Sequence, residues 1–252
     1  MSASRKDLLK SALLGLPIGF RTLRREVPRP HFHIQMRNDA VELADEQGII
    51  YAGKSKRGLR MATEAALEQR ASTESSAFAF LHAGGVTIRG RAILVPGRSF
   101  AGKSTLVEAL LKRGAAYLSD DMIPIDGRLR AHPFPRPLGR RPPAGGPPVK
   151  TSLKSLKVQV AVRPAPIGVI WCGTYDPVIL EPSFQRVSGR DAFAGLLPHA
   201  PGARIRPEVI IPILTKVARD VPVFTGRRGE ADQMAEVLLN LLERERSTLR
   251  TT

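Results

Sequence analysis

Ala92-Ile93-Leu94-Val95-Pro96-Gly97-Arg98-Ser99-Phe100-Ala101-Gly102-Lys103-Ser104-Thr105 runs from an apolar strand, through a complete G-x-x-x-x-G-K-[ST] loop, into a helix. The setting gives the eight-residue motif its meaning. A strand before and a helix after aim the loop's backbone N–H groups and the helix N-terminus at one point, where phosphate oxygens bind. Lys103 is expected to reach the β- and γ-phosphates and Ser104 to hold Mg²⁺. The expected nucleotide-binding set is Gly97, Arg98, Ser99, Phe100, Ala101, Gly102, Lys103, Ser104 and Thr105.

Downstream, Leu106, Val107, Leu110 and Leu111 make one apolar helix face, and Gly114 is the expected stop. Ala115–Leu118 reads as a short strand ending in Ser119-Asp120-Asp121, and Met122–Ile125 leads to an Asp126-Gly127 turn. Upstream, Val86–Ile88 and Ala92–Val95 flank Arg89-Gly90-Arg91, a hairpin signal. The strand feeding the loop therefore has an antiparallel neighbour. Adjacent residues on a strand face opposite ways, but at a strand end the chain turns and both aspartates can face the phosphates.

Elsewhere the reading is coarser. His31–Met36, Val41–Leu43 and Ile49–Tyr51 read as short strands, and 61–81 as helix with a break near Ser72-Thr73. Val158–Val162 and Val169–Cys172 read as core strands, and Arg190–Leu197 and Ile210–Arg219 as helices, with Pro212 in a first turn. Val221–Phe224 reads as an edge strand because of Pro222. Ala231–Arg244 reads as an amphipathic helix with Met234, Val237, Leu238, Leu241 and Leu242 on its apolar face. Residues 127–163 hold nine Lys or Arg, seven prolines and no Asp or Glu. They read either as an anion-attracting flap or as a solvated insertion.

Composition sets the bounds. The 252 residues are 42% hydrophobic and 25% charged, which suits one substantial core in a soluble globular protein. The net charge of +16 attracts anions, acidic peptides among them. Aromatics at 5% argue against a single-strand stacking surface, and no motif points to a specific nucleic acid. The lone Cys172 excludes a disulfide framework within the chain and fits a reducing cytoplasm, where it reads as a buried strand residue. Residues 1–30 form a basic N-terminal segment, read as a terminal helix with membrane contact as the alternative. Residues 31–252 are expected to form one domain.

The stretch Leu81–Arg141 resembles the C-terminal catalytic domain of HPr serine kinase/phosphorylase and its small relatives, and is distantly similar to the nucleotide domain of phosphoenolpyruvate carboxykinases. Ile93–Gly97, Ser99, Gly102–Leu106 and Gly114–Asp121 carry the resemblance, with Pro133–Leu138 as the Pro-rich segment after the Asp pair. It extends more weakly through Leu180-Glu181-Pro182, Ala192-Phe193 to His199, and Val221-Pro222-Val223. The resemblance implies an α/β fold, a mixed sheet around the phosphate loop flanked by helices, with the short N-terminal strands attached. It implies an ATP- and Mg²⁺-dependent kinase acting on a hydroxyl, serine in a peptide or protein or as a free amino acid, and an oligomer as in the HPr enzymes. Asp120 would accept the hydroxyl proton, and Ser104 and Asp121 would hold the metal. Arg136, Arg140 and Arg141 are candidate phosphate clamps. His132 reads as an ordinary loop histidine and Tyr117 as core. Family loops often read G-x-S-G-x-G-K-[ST], and Phe100 replaces the inner glycine. The E-[IV]-R-G-type signature of the bifunctional HPr enzymes is absent. The alternative function is a nucleotide-binding regulatory or chaperone-like module with little catalysis.

Overall fold

The computed structural model describes residues 32–37, 39–98, 101–140, 149–151, 153 and 155–248. Ser99 and Phe100 of the loop, Arg141, and the basic segment 1–30 lie outside the described residues. The chain divides into two compact units, residues 1–71 and 72–252.

In the first unit, β1 (His33–Arg37), β2 (Ala40–Asp45) and β3 (Gly48–Gly53) form an antiparallel meander, and α1 (Lys56–Glu74) follows. Its small core is Val41, Leu43 and Leu59, with Ile34 and Tyr51 packed against it. The helix expected over 61–81 begins earlier, runs unbroken past Ser72-Thr73 and stops at Glu74. Residues from Phe78 are strand. Phe78-Ala79-Phe80-Leu81 is a continuous, aromatic-rich apolar run buried on both faces, which suits an interior strand and outweighs the helix-forming composition upstream.

The second unit is built on β4 (Phe78–Ile88) and β5 (Arg91–Pro96), joined by a two-residue turn. Arg89 and Gly90 both have positive φ, 52° and 78°, the turn geometry that matches strand twist. After β5 come α2 (Lys103–Lys112), β6 (Ala116–Ser119), β7 (Met122–Asp126) and β8 (Arg130–Ala131). Then follow β9 (Leu138–Arg140) and β10 (Val149–Thr151), a separate antiparallel pair. The chain continues through β11 (Ala165–Trp171), β12 (Thr174–Tyr175), β13 (Ser183–Val187), α3 (Gly189–Leu196), α4 (Pro207–Asp220), β14 (Val223–Arg228) and α5 (Ala231–Thr248).

Nine strands form one mixed sheet: β14-β11-β5-β4-β7-β8 run in order, with β13 on the far side of β14, β12 in line with β11 along β14, and β6 on β4. The expected mixed α/β architecture is what the described residues adopt. Alternating side chains feed two cores. Leu94 and Ile170 face the layer of α3 and α4, while Ile93, Val95, Val169 and Trp171 face that of α2 and α5.

Three expectations are corrected. Val158–Val162 is no core strand: it makes one parallel bridge, Val160 to Tyr117, and Val162 is 88% exposed. The strand near Val221 is interior, since β14 lies between β13 on one side and β11, continued in line by β12, on the other. Pro222 precedes β14, so its missing N–H is not needed, and its carbonyl accepts the Ile170 N–H at 2.9 Å. Finally, α4 begins at Pro207, which takes the first-turn position, and Pro212 lies inside the helix, where it removes one backbone bond. No helix among the described residues is long and apolar enough to cross a membrane.

Candidate functional site

The loop leaves β5 at Gly97 and enters α2 through Gly102, whose φ of +74° is the left-handed value that favours glycine. Lys103 opens the helix and is only 7% exposed. Its Nζ donates to the carbonyls of Gly97 and Arg98, each at 2.9 Å, and lies 3.5 Å from His82 Nε2. Burial holds the Lys103 ammonium below its ordinary value, against the opposing pull of Asp121 and Asp120. Arg98 itself is exposed.

Strand β4 places the aspartates. Its first half pairs with β7 and its second half with β6, so the chain must step sideways between Ser119 and Met122. Asp120 and Asp121 occupy that step, where the alternation of a regular strand is suspended. Ser119 Oγ accepts the N–H groups of Asp121 and Met122, each at 3.3 Å, and the Asp121 carbonyl accepts the Ala83 N–H at 3.0 Å.

Asp120 faces the helix start. Its Oδ2 accepts from Ser104 Oγ at 3.3 Å and from the Gly139 N–H at 3.0 Å, and its Oδ1 from the Tyr117 hydroxyl at 2.8 Å. Burial pushes the Asp120 carboxyl above the usual carboxylate range, although the Gly139, Tyr117 and Ser104 donors oppose the shift. Asp121 is turned toward His82 and Arg136, beside Lys103. Its Oδ2 accepts from Arg136 Nη1 at 2.9 Å, and its Oδ1 lies 3.1 Å from His82 Nε2. Tyr117 is core, as expected, but its hydroxyl also belongs to this cluster, and burial beside Asp120 raises its pKa strongly.

Of the expected clamps, Arg136 is buried against Asp121. The Arg140 side chain and Arg141 lie outside the described residues. Around Arg136 the basic stretch is core rather than flap or solvated insertion, since Phe134, Arg136 and Leu138 are buried, while its centre, 141–148, lies outside the described residues. His132 is structural. Its Nε2 lies 2.8 Å from Asp126 Oδ2, and its ring meets Phe78 edge-on.

Sequence reading did not single out His82, His199 or Arg228. His82 lies on β4, opposite Met122. His199 ends a short turn after α3, and its pKa is lowered by burial and by the charges of His82, Lys103 and Arg98. Arg228, 3% exposed at the end of β14, donates to the Gly102 carbonyl at 2.9 Å. No local pattern marks these residues, because only the sheet order brings them to the loop.

The donor chemistry fits a hard cation. Ser104, Asp120 and Asp121 supply oxygens, as Mg²⁺ requires. Among the described residues no cluster of three His, Cys, Asp or Glu could hold a metal alone. A Mg²⁺ ion here would therefore need phosphate oxygens and water, its usual mode of binding.

No known family profile matches the chain, and no curated protein does. Among solved structures, the Hpr(Ser) kinase/phosphatase from Coxiella burnetii matches at 15% identity with a TM-score of 0.37. The match covers 68% of this chain and 98% of that one. The likeness is distant and structural.

Proposed function

We propose that the chain is an ATP- and Mg²⁺-dependent phosphotransferase that phosphorylates a hydroxyl, serine in a peptide or protein or as the free amino acid. The observation that carries this reading is the contact of Ser104 with Asp120, sixteen residues apart, beside the buried Lys103. A phosphate-loop lysine and hydroxyl thus share one site with two carboxylates. Phosphoryl transfer asks a protein mainly to position reactants and neutralise charge.

On this reading the loop Gly97–Lys103 wraps the β-phosphate, and Lys103 exchanges its carbonyl partners for the transferring phosphoryl group. Ser104 and Asp121 hold Mg²⁺, which when bound offsets the charge that spreads over the phosphoryl oxygens. Asp120 receives the acceptor's proton, a role that its raised pKa favours. The net charge of +16 favours an acidic acceptor.

The test is γ-phosphoryl transfer from ATP to serine-containing acidic peptides and to free serine. Lys103→Ala and Asp120→Asn are expected to lose transfer by about a hundredfold or more. Asp120→Asn should keep Mg²⁺-dependent nucleotide binding, and Asp121→Asn should lose it. Full transfer by Asp120→Asn would refute its assignment as base. Loss of Mg²⁺-dependent binding in Asp120→Asn alone would exchange the roles of the two aspartates.

A second reading, a nucleotide-binding regulatory module, draws on the Lys103 ammonium being held by its own loop's carbonyls. It expects tight nucleotide binding with no transfer to any acceptor.

A further inference from the structure

Strands β5, β11 and β14 run parallel, so all three end at the same edge of the sheet. The phosphate loop follows β5 at that edge. In open α/β sheets, ligands lie outside the carboxyl ends of such strands. A nucleoside whose phosphates sit in the loop must extend over the neighbouring strand ends. What stands there is Tyr175, on the parallel strand β12 in register with Arg228.

The position of Tyr175 is fixed from three sides. The Arg228 guanidinium lies 5.1 Å from its ring centroid, a cation–π contact. The same guanidinium donates to the Gly102 and Gly229 carbonyls at 2.9 Å each, tying the ring's support to the loop. The next residue, Asp176, donates its N–H to the Arg228 carbonyl at 2.8 Å, pairs with Arg227, and accepts the Val178 and Ile179 N–H groups at 3.1 Å. The Tyr175 Cβ lies 3.9 Å from the point where a Cβ on Gly102 would stand. Yet the residue is 45% exposed. A large aromatic, anchored behind and open in front at the loop's flank, has the form of a stacking surface.

We propose that Tyr175, backed by Arg228, is the nucleobase platform of this site. The inference rests on the nucleotide-binding reading above and adds to it the subsite for the base. Stacking on an aromatic face is tolerant of base identity. The site therefore takes nucleoside di- and triphosphates by stacking, with ATP and GTP bound about equally.

The experiment is calorimetric binding of ATP, GTP and inorganic tripolyphosphate, with Mg²⁺, to the full chain and to Tyr175→Phe and Tyr175→Ala. Tyr175→Ala is expected to weaken ATP and GTP by about tenfold while leaving tripolyphosphate within about twofold. Tyr175→Phe should keep the wild-type affinities for all three. The tripolyphosphate measurement also shows that the variant is folded with its loop intact. Unchanged ATP affinity in Tyr175→Ala, or an equal loss for ATP and tripolyphosphate, would overturn the platform and leave the phosphate site standing. If the wild type bound none of the three probes, the nucleotide reading itself would fall, and the platform with it.

Discussion

Gly102 meets two constraints at once. Its φ of +74° is costly for any other residue, and a Cβ built there would collide with Arg228 Nη2. Gly102→Ala must therefore either distort the loop or expel the guanidinium from beneath it. The expected loss of stability is about 1–3 kcal/mol, read from thermal unfolding, together with lost nucleotide affinity. An alanine variant with wild-type melting and affinity would show that the Gly102–Arg228 contact does not shape the loop. The glycine was legible in the sequence as a motif position, and Lys103, Ser104 and the Asp pair were legible with it. Arg228 was not, because its partner lies 126 positions away and neither neighbourhood announces the other. Tyr117 was legible only as core, since a hydroxyl's reach to Asp120 depends on how β6 ends.

The turn between β7 and β8 supports a pH prediction. Asp126 is pushed up by burial, but His132 and the N–H groups of Arg130 and Arg128 outweigh this, and its pKa is net lowered. A depressed carboxylate stabilises above its unfolded pKa, near 3.8, and that contribution fades as pH falls through the folded value. Asp126→Asn is thus expected to cost about 1 kcal/mol at neutral pH, kept modest by partial solvent screening. The difference in melting temperature from wild type should shrink below about pH 4. A difference that stayed constant with pH would remove the charge from the explanation. The turn itself was readable from Asp126-Gly127. Among the elements, the β4–β5 hairpin, α2 and α5 followed their periodicity closely. The misread elements share a cause: Val158–Val162 has the composition of a strand but a single bridge, and Pro222 suggested an edge for a strand that begins just after it. Strand composition reports local preference, whereas the place in a sheet depends on partners far along the chain.

The two compact units each carry their own hydrophobic cluster: Val41, Leu43 and Leu59 in residues 1–71, and the two large sheet-facing cores in 72–252. All the residues assigned to phosphate, metal, proton transfer and base lie in the larger unit, from Gly97 to Arg228. With 181 residues between its bounds, that unit is long enough to bury a core of its own. A fragment comprising residues 72–252 is therefore expected to fold, to unfold in one cooperative transition, and to bind Mg²⁺–ATP within about threefold of the full chain. Circular dichroism melting and calorimetry on the two proteins check this. A fragment that melts without cooperativity would mean that the large unit depends on the smaller one for its fold. A fragment that folds but binds nucleotide at least tenfold more weakly would place part of the binding energy in residues 1–71, a contribution that nothing in the loop's geometry requires.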